Sequence, residues 1–119
     1  MTSFRFRNFQ VYQDAKEFNK KIFKLSKVFP VELKSQTIRS SISILLNIAE
    51  GSAKKSDKDF NRYIENSLGS INEIVACLEI AYELNFITQF IFNDLSNEAE
   101  NIARQLGGLS KKLKVNNKC

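Results

Sequence analysis

The chain has no histidine and no tryptophan, a single proline, four glycines and two cysteines in 119 residues. Without histidine it can build neither an imidazole-activated nucleophile nor the Glu-x-x-His pairs of di-metal helix bundles. Cys77 lies inside a periodic segment and Cys119 is the last residue, so they form no disulfide framework and, lacking histidine, no zinc set. Cys77 reads as a small core residue. Scarce proline and glycine remove the turn punctuation of β-rich folds and let helices run long. No apolar run approaches the ~18 residues that cross a bilayer, and the opening MTSFRFRNF lacks the apolar core of a signal peptide, so a cytoplasmic protein without membrane contact is expected. No glycine-rich phosphate loop is present, and the serines have no placed base. The acidic residues Glu65, Glu73, Glu79 and Glu83 do not share one helical face. The expectation is a non-catalytic protein with no metal and no cofactor.

What is present is helical periodicity, in a chain that is 43% hydrophobic and 26% charged. That length and composition fit one compact soluble domain, 1–119, of the all-α class. Val11, Ala15, Phe18, Ile22, Leu25 and Phe29 recur at spacings of three and four, predicting a first helix over about 9–29, capped by Asn8 and stopped by Pro30. Before it, Phe4 and Phe6 alternate with Arg5 and Arg7, an arm suited to packing on a helix end or to stacking on bases. A second helix is predicted over about 32–51. On its wheel Gln36, Arg39, Ser40, Ser43, Asn47 and Glu50 share a narrow polar stripe, while Ile38, Ile42, Ile44, Leu45, Leu46, Ile48 and Ala49 spread beyond the ~100° face that one core requires. Such a helix serves two contacts, its own bundle and another copy of the chain, with Leu45 or Leu46 pointing outward and Gly51 closing it as a C-terminal cap.

Ser56 is placed to cap a third helix over about 57–84, with Asp57 and Asp59 at its positive N-terminal end. Its seam of Ser67, Ser70, Cys77 and Ala81, with Gly69 beside it, suggests close helix packing. A fourth helix over about 88–114 repeats Ile91, Leu95, Ala99, Ile102, Leu106, Leu109 and Leu113, and Gly107 and Gly108 are expected to kink or fray its last turns before a disordered tail, Asn116 to Cys119. Short connections between four helices define an up-down-up-down antiparallel four-helix bundle. Taking the turn near Gly51 to Asp57 as pivot, facing positions of the second and third helices sum to roughly 110. Arg39 is thereby expected to meet Glu73, and Ser43 to meet Ser67 or Ser70.

The formal charge of +5 is unevenly placed: residues 1–35 carry 8 basic and 3 acidic groups, 36–56 carry 3 and 1, 57–106 carry 3 and 9, and 107–119 carry 4 and none. Lys16, Lys20, Lys24 and Lys27 form a ridge opposite the apolar stripe of the first helix, and Lys111, Lys112 and Lys114 lie near the end of the fourth. Together they are the candidate nucleic-acid surface, with a solvated face as the plain alternative. Lys54 and Lys55 read as a loop's ordinary charges.

Arg39, Ser43-Ile44, Asn47-Ile48-Ala49-Glu50-Gly51, and later Gly69-Ser70 with Glu73, resemble the family called four helix bundle protein, or 23S rRNA-intervening sequence protein. Arg7-Asn8-Phe9, Val11-Tyr12-Gln13, Ala15 and Phe29-Pro30 extend the likeness almost end to end. The resemblance implies a bacterial four-helix bundle assembled as a ring-like homopentamer, encoded within intervening sequences of 23S rRNA genes or standing alone. It implies no catalysis. A related accessory protein of diversity-generating retroelements binds nucleic acid and a reverse transcriptase, so RNA or DNA and a protein partner are the candidate partners. This chain departs from the family pattern in having about four fewer residues between Pro30 and Gln36, serine at positions 40 and 67 where alanine is usual, and Leu45 where proline is frequent. The motif residues Arg39, Ser43, Asn47, Glu50, Gly51, Gly69, Ser70 and Glu73 serve either recognition or the satisfaction of one another's polar groups.

Overall fold

A computed structural model describes residues 4–116. A 3-10 turn, Arg5–Asn8, leads into helix α1, Gln10–Leu25; a second 3-10 turn, Ser26–Val28, precedes α2, Val31–Ser52, and the chain continues through α3, Asp57–Glu83, and α4, Gln89–Asn116. No strand occurs among the described residues. Four contacts order the helices. Ser41 donates to Asn19 across α1 and α2, Ser70 to Ser43 across α2 and α3, Ser110 to Asn61 across α3 and α4, and Gln105 to Asp14 across α4 and α1. Each neighbour runs antiparallel to the next, giving the expected bundle, 50 × 29 × 21 Å in extent.

The core follows the periodic residues. Phe18, Ile22, Ile44, Ile48, Ile64, Ile74, Leu78, Ile102 and Leu106 are all fully buried, and each such side chain contributes about 1.5–3 kcal/mol relative to exposure. Cys77 is buried as a free thiol. Serines and a threonine occupy the closest approaches, with their hydroxyls turned to backbone oxygens: Thr37 donates to Leu33 O at 2.6 Å and Ser67 to Ile44 O at 2.9 Å. Here a small polar side chain both admits a neighbouring helix and satisfies itself.

Helix ends show where local chemistry decides. Phe29 is extended, with φ −76° and ψ 152°, as a residue before proline should be. The last turn before it tightens to 3-10 geometry, so α1 ends at Leu25 rather than near 29. Pro30 then stands directly before α2 and accepts from Lys34 N–H at 2.8 Å. Ser56 Oγ accepts from Asp59 N–H, capping α3 as expected. At the far end of α3, Asn85 adopts φ 65°; its N–H reaches Tyr82 O, and Phe86 N–H reaches Ala81 O, the paired bonds of a Schellman motif.

Four sequence expectations need correction. Asn8 does not cap α1, because the 3-10 turn consumes it and Phe9 becomes the residue before the helix, without a side-chain cap. Gly51 is not a left-handed cap: no glycine has positive φ among the described residues, and α2 runs through it to Ser52. Gly107 and Gly108 do not interrupt α4, which continues to Asn116 with both glycines exposed. Gly69 lies in open space rather than a tight seam, since a Cβ there would meet nothing within 4 Å. Of the tail expectation, everything past Asn116, including Cys119, lies outside the described residues.

Candidate functional site

The outer side of α2 carries the first candidate surface. Arg39, Ile42, Ser43, Leu46, Asn47 and Glu50 line a shallow groove of about 430 Å³. Leu46 is 61% exposed at its centre, whereas Leu45 packs partly against the core, so Leu46 is the outward leucine. Asn47 is held by its own helix, donating to Ser43 O at 2.9 Å and Ser43 Oγ at 3.0 Å. Ser43 in turn accepts from Ser70 at 2.8 Å, which ties the polar stripe of α2 to α3. Ser70, Gly69 and Glu73 follow at helical spacing, so Gly69 and Glu73 border the same side of the α2–α3 pair, and both are exposed.

The motif therefore divides. Ile48 and Gly51 turn inward, Ser43, Asn47 and Ser70 form a hydrogen-bonded hinge between helices, and Arg39, Glu50 and Glu73 face solvent. The expected Arg39–Glu73 pair is absent: among the described residues neither makes an ion pair. Their positions match in level along the helices but lie on outward flanks. Gly51 has a different task from the one its place near the helix end suggested. A Cβ on it would come within 2.7 Å of Tyr63 Cβ, 2.9 Å of Phe60 Cδ1 and 3.3 Å of Phe60 O. Its absent side chain is what lets the start of α3 cross the end of α2. The i, i+3 spacing of Phe60 and Tyr63, just past the loop, was the available sequence signal.

The basic residues fall into two groups. On α1, Lys20, Lys24 and Lys27 are exposed and Lys16 is half-buried beside the Tyr12 ring, 5.5 Å from its centre. Lys20 already pairs with Glu17 at 3.0 Å, and neighbouring Lys21 with Glu98 at 2.8 Å. The Glu98 hydrogen bond raises the Lys21 pKa above the usual 10.5. Between α1 and α4 the same carboxylates, with Asp14 and Asp94, line a groove of about 370 Å³. The register set by Asp14–Gln105 and Lys21–Glu98 sums to 119, which places Lys16 opposite Ala103. It stops about 12 Å short of Lys111, eight residues further along α4. Lys111 and Lys112 are exposed, and Lys114 pairs with Glu65 at 3.6 Å.

The second basic group gathers where α2 turns into α3. Arg5 Nε donates to Ser52 O at 3.0 Å, and its guanidinium stands 5.3 Å from the centre of the Phe60 ring. Lys54 and Arg62 lie over Tyr63 at 5.1 and 5.9 Å. Lys55, Lys58 and Arg7 are exposed close by in sequence. Among the described residues no group of three His, Cys, Asp or Glu side chains is arranged to hold a metal ion, and no helix is long and apolar enough to cross a membrane.

Four antiparallel helices with short connections, one of which keeps an exposed leucine and a polar motif on its outer side, define a four-helix-bundle protein. The chain belongs to the 23S rRNA-intervening sequence protein family, whose profile matches residues 7–108. It is similar to a protein of unknown function from the S23 ribosomal protein family of Bacteroides thetaiotaomicron VPI-5482, known from a crystal structure. The two share 27% identity with a TM-score of 0.78, over 85% of this chain and 98% of that one. No curated protein matches the chain.

Proposed function

We propose that this chain is a non-catalytic cytoplasmic scaffold that self-associates through the outer side of α2, as a ring-like homopentamer by resemblance to its family, and associates with RNA or DNA through a basic surface. The observation that carries the reading is Leu46, 61% exposed in mid-helix within a groove whose polar members are tied to α3. A rigid apolar centre with a polar rim is the anatomy of an interface between chains. The formal charge of +5 favours a polyanionic partner. Sedimentation of the purified chain tests assembly: a multimer is expected, and Leu46→Glu should return it to monomer with helix content intact. A parent chain that sediments as a monomer at micromolar concentration would sink the scaffold reading. The ultraviolet absorbance ratio before and after a high-salt wash reports copurifying nucleic acid.

A second reading, a protein-binding adaptor with no nucleic-acid role, draws on the opposite end of the bundle. There Val28, Val31, Leu84 and Phe90 are each more than half exposed, beside Phe86. Apolar surface of this kind suits a protein partner. Clean absorbance together with retained assembly would favour it.

A further inference from the structure

We infer that the phosphodiester backbone is held at the end of the bundle where α2 turns into α3, through Lys55, Lys58 and Arg7, and not along the lysine ridge of α1. The inference rests on the nucleic-acid reading and assigns its surface. Charge divides sharply along the bundle axis. The half holding the α2–α3 turn, residues 4–17, 47–66 and 104–116, carries eleven basic and six acidic side chains. The other half, 18–46 and 67–103, carries six basic and seven acidic, so the net positive charge of the described chain sits at one end.

Ion pairs occur in both basic groups, Lys20–Glu17 on α1 and Lys54–Glu50, Arg62–Asp59 and Lys114–Glu65 at the α2–α3 end, so the net charge around each group decides between them. On α1 the ridge runs beside the groove of Asp14, Glu17, Asp94 and Glu98, and Lys20 is already joined to Glu17. A phosphate approaching Lys20 meets the Glu17 carboxylate 3.0 Å from the ammonium it would need, and like-charge repulsion there offsets the attraction. At the α2–α3 end, Lys55, Lys58 and Arg7 make no ion pair among the described residues, and Lys111 and Lys112 add two further unpaired cations on the end of α4. Ser110 anchors that helix to Asn61 at 2.6 Å, which keeps the two charged segments at the same end.

The cations around them are also positioned in advance. Arg5 is fixed by Ser52 O and the Phe60 ring, while Lys54 and Arg62 flank Tyr63 and are paired with Glu50 at 4.0 Å and Asp59 at 3.5 Å. Ordered cations lose less side-chain freedom on meeting a phosphate than free ones do. With Tyr63 covered by two cations and no set of base-reading groups beside it, the surface follows backbone charge with little sequence preference.

The test compares two charge reversals in the full chain, Lys55→Glu with Lys58→Glu against Lys20→Glu with Lys24→Glu. The probes are a labelled single-stranded oligouridylate and the matching oligodeoxythymidylate, each titrated at two salt concentrations. The first double variant should weaken both probes at least about tenfold at low salt and reduce the slope of log affinity against log salt by about 1 to 2. The second should change affinity by no more than about twofold, as expected for lysines outside the contact. Circular dichroism confirms that each folds, and Lys55→Gln with Lys58→Gln replaces the reversal if it does not. Equal losses, or the larger loss at Lys20 and Lys24, overturn the assignment and leave the nucleic-acid reading standing. A parent chain that binds neither probe at low salt overturns both.

Discussion

The seam between α2 and α3 and the seam between α1 and α4 are built by opposite means. Ser67, Ser70 and Gly51 bring the first pair close, with hydroxyls bonded across it and the Gly51 backbone lying under Phe60 and Tyr63. The second pair is bridged by longer polar side chains, Asp14 to Gln105 and Lys21 to Glu98, around an open acidic groove. Close packing fixes one geometry and forgives little, whereas exposed charged contacts are screened and adjustable. The rigid pair carries the outer groove with Leu46, so the proposed assembly face rests on the part of the bundle least able to deform.

The largest break should come at Gly51. Gly51→Ala introduces a methyl within 2.7 Å of Tyr63 Cβ and 2.9 Å of Phe60 Cδ1. The backbone of α3 must shift, because neither contact is the far end of a flexible side chain. Alanine's better helix propensity, about 1 kcal/mol, offsets part of this, but overpacking costs about 1–3 kcal/mol and Gly51→Val should cost more. Denaturant unfolding of both variants measures the order. A stabilised Gly51→Ala would show that the α2–α3 approach is looser than the geometry described.

Gly69 gives the opposite sign on the same helix pair. It is exposed, with nothing within 4 Å of its absent Cβ, so within one chain Gly69→Ala should stabilise α3 by about 1 kcal/mol. If copies pack against this flank, the methyl should weaken assembly while the helix itself gains. Measured in a Leu46→Glu background, where association is removed, the gain should appear alone. Sedimentation and melting of the single and double variants separate the two effects. Identical behaviour in both backgrounds would place the contact between copies away from Gly69.

Axial position and the buried face of each helix were legible in the sequence, and the flank on which an exposed polar residue lies was not. The periodic apolar residues predicted four helices and their buried faces, and the facing rule for α2 and α3 brought Ser43 to Ser70. The same rule matched Arg39 with Glu73 in level, yet both point outward, because a sum of residue numbers fixes height and says nothing about flank. Glycine misled for a related reason. At Gly51 the chain looks like a helix end, and only the two aromatic residues across the loop show that a missing side chain is required. At Gly69 the small residue suggested a seam inside the chain that the structure leaves open. Nor was there any sign in the sequence that Lys54 lies over the Tyr63 ring, a contact made only once α2 and α3 are folded against each other.

The smallest effect belongs to the α1–α4 seam. Glu98→Gln removes the charged partner of Lys21, whose ammonium lies 2.8 Å from Glu98 Oε2 with both side chains partly open to water. A pair this exposed is worth under about 1 kcal/mol, so the loss should fall well below that at Gly51. Its pH dependence identifies the origin. The Glu98 hydrogen bond raises the folded Lys21 pKa above the usual 10.5, so the charged lysine favours the folded chain. That contribution is fully present below the unfolded value and disappears as pH rises through the higher folded one. Parent and Glu98→Gln melts should therefore differ slightly at neutral pH and converge in strongly alkaline buffer, with the difference also shrinking in high salt. A large loss at Glu98→Gln that ignores both pH and salt would mean that this seam is held by packing, as the α2–α3 seam is, and would erase the contrast between them.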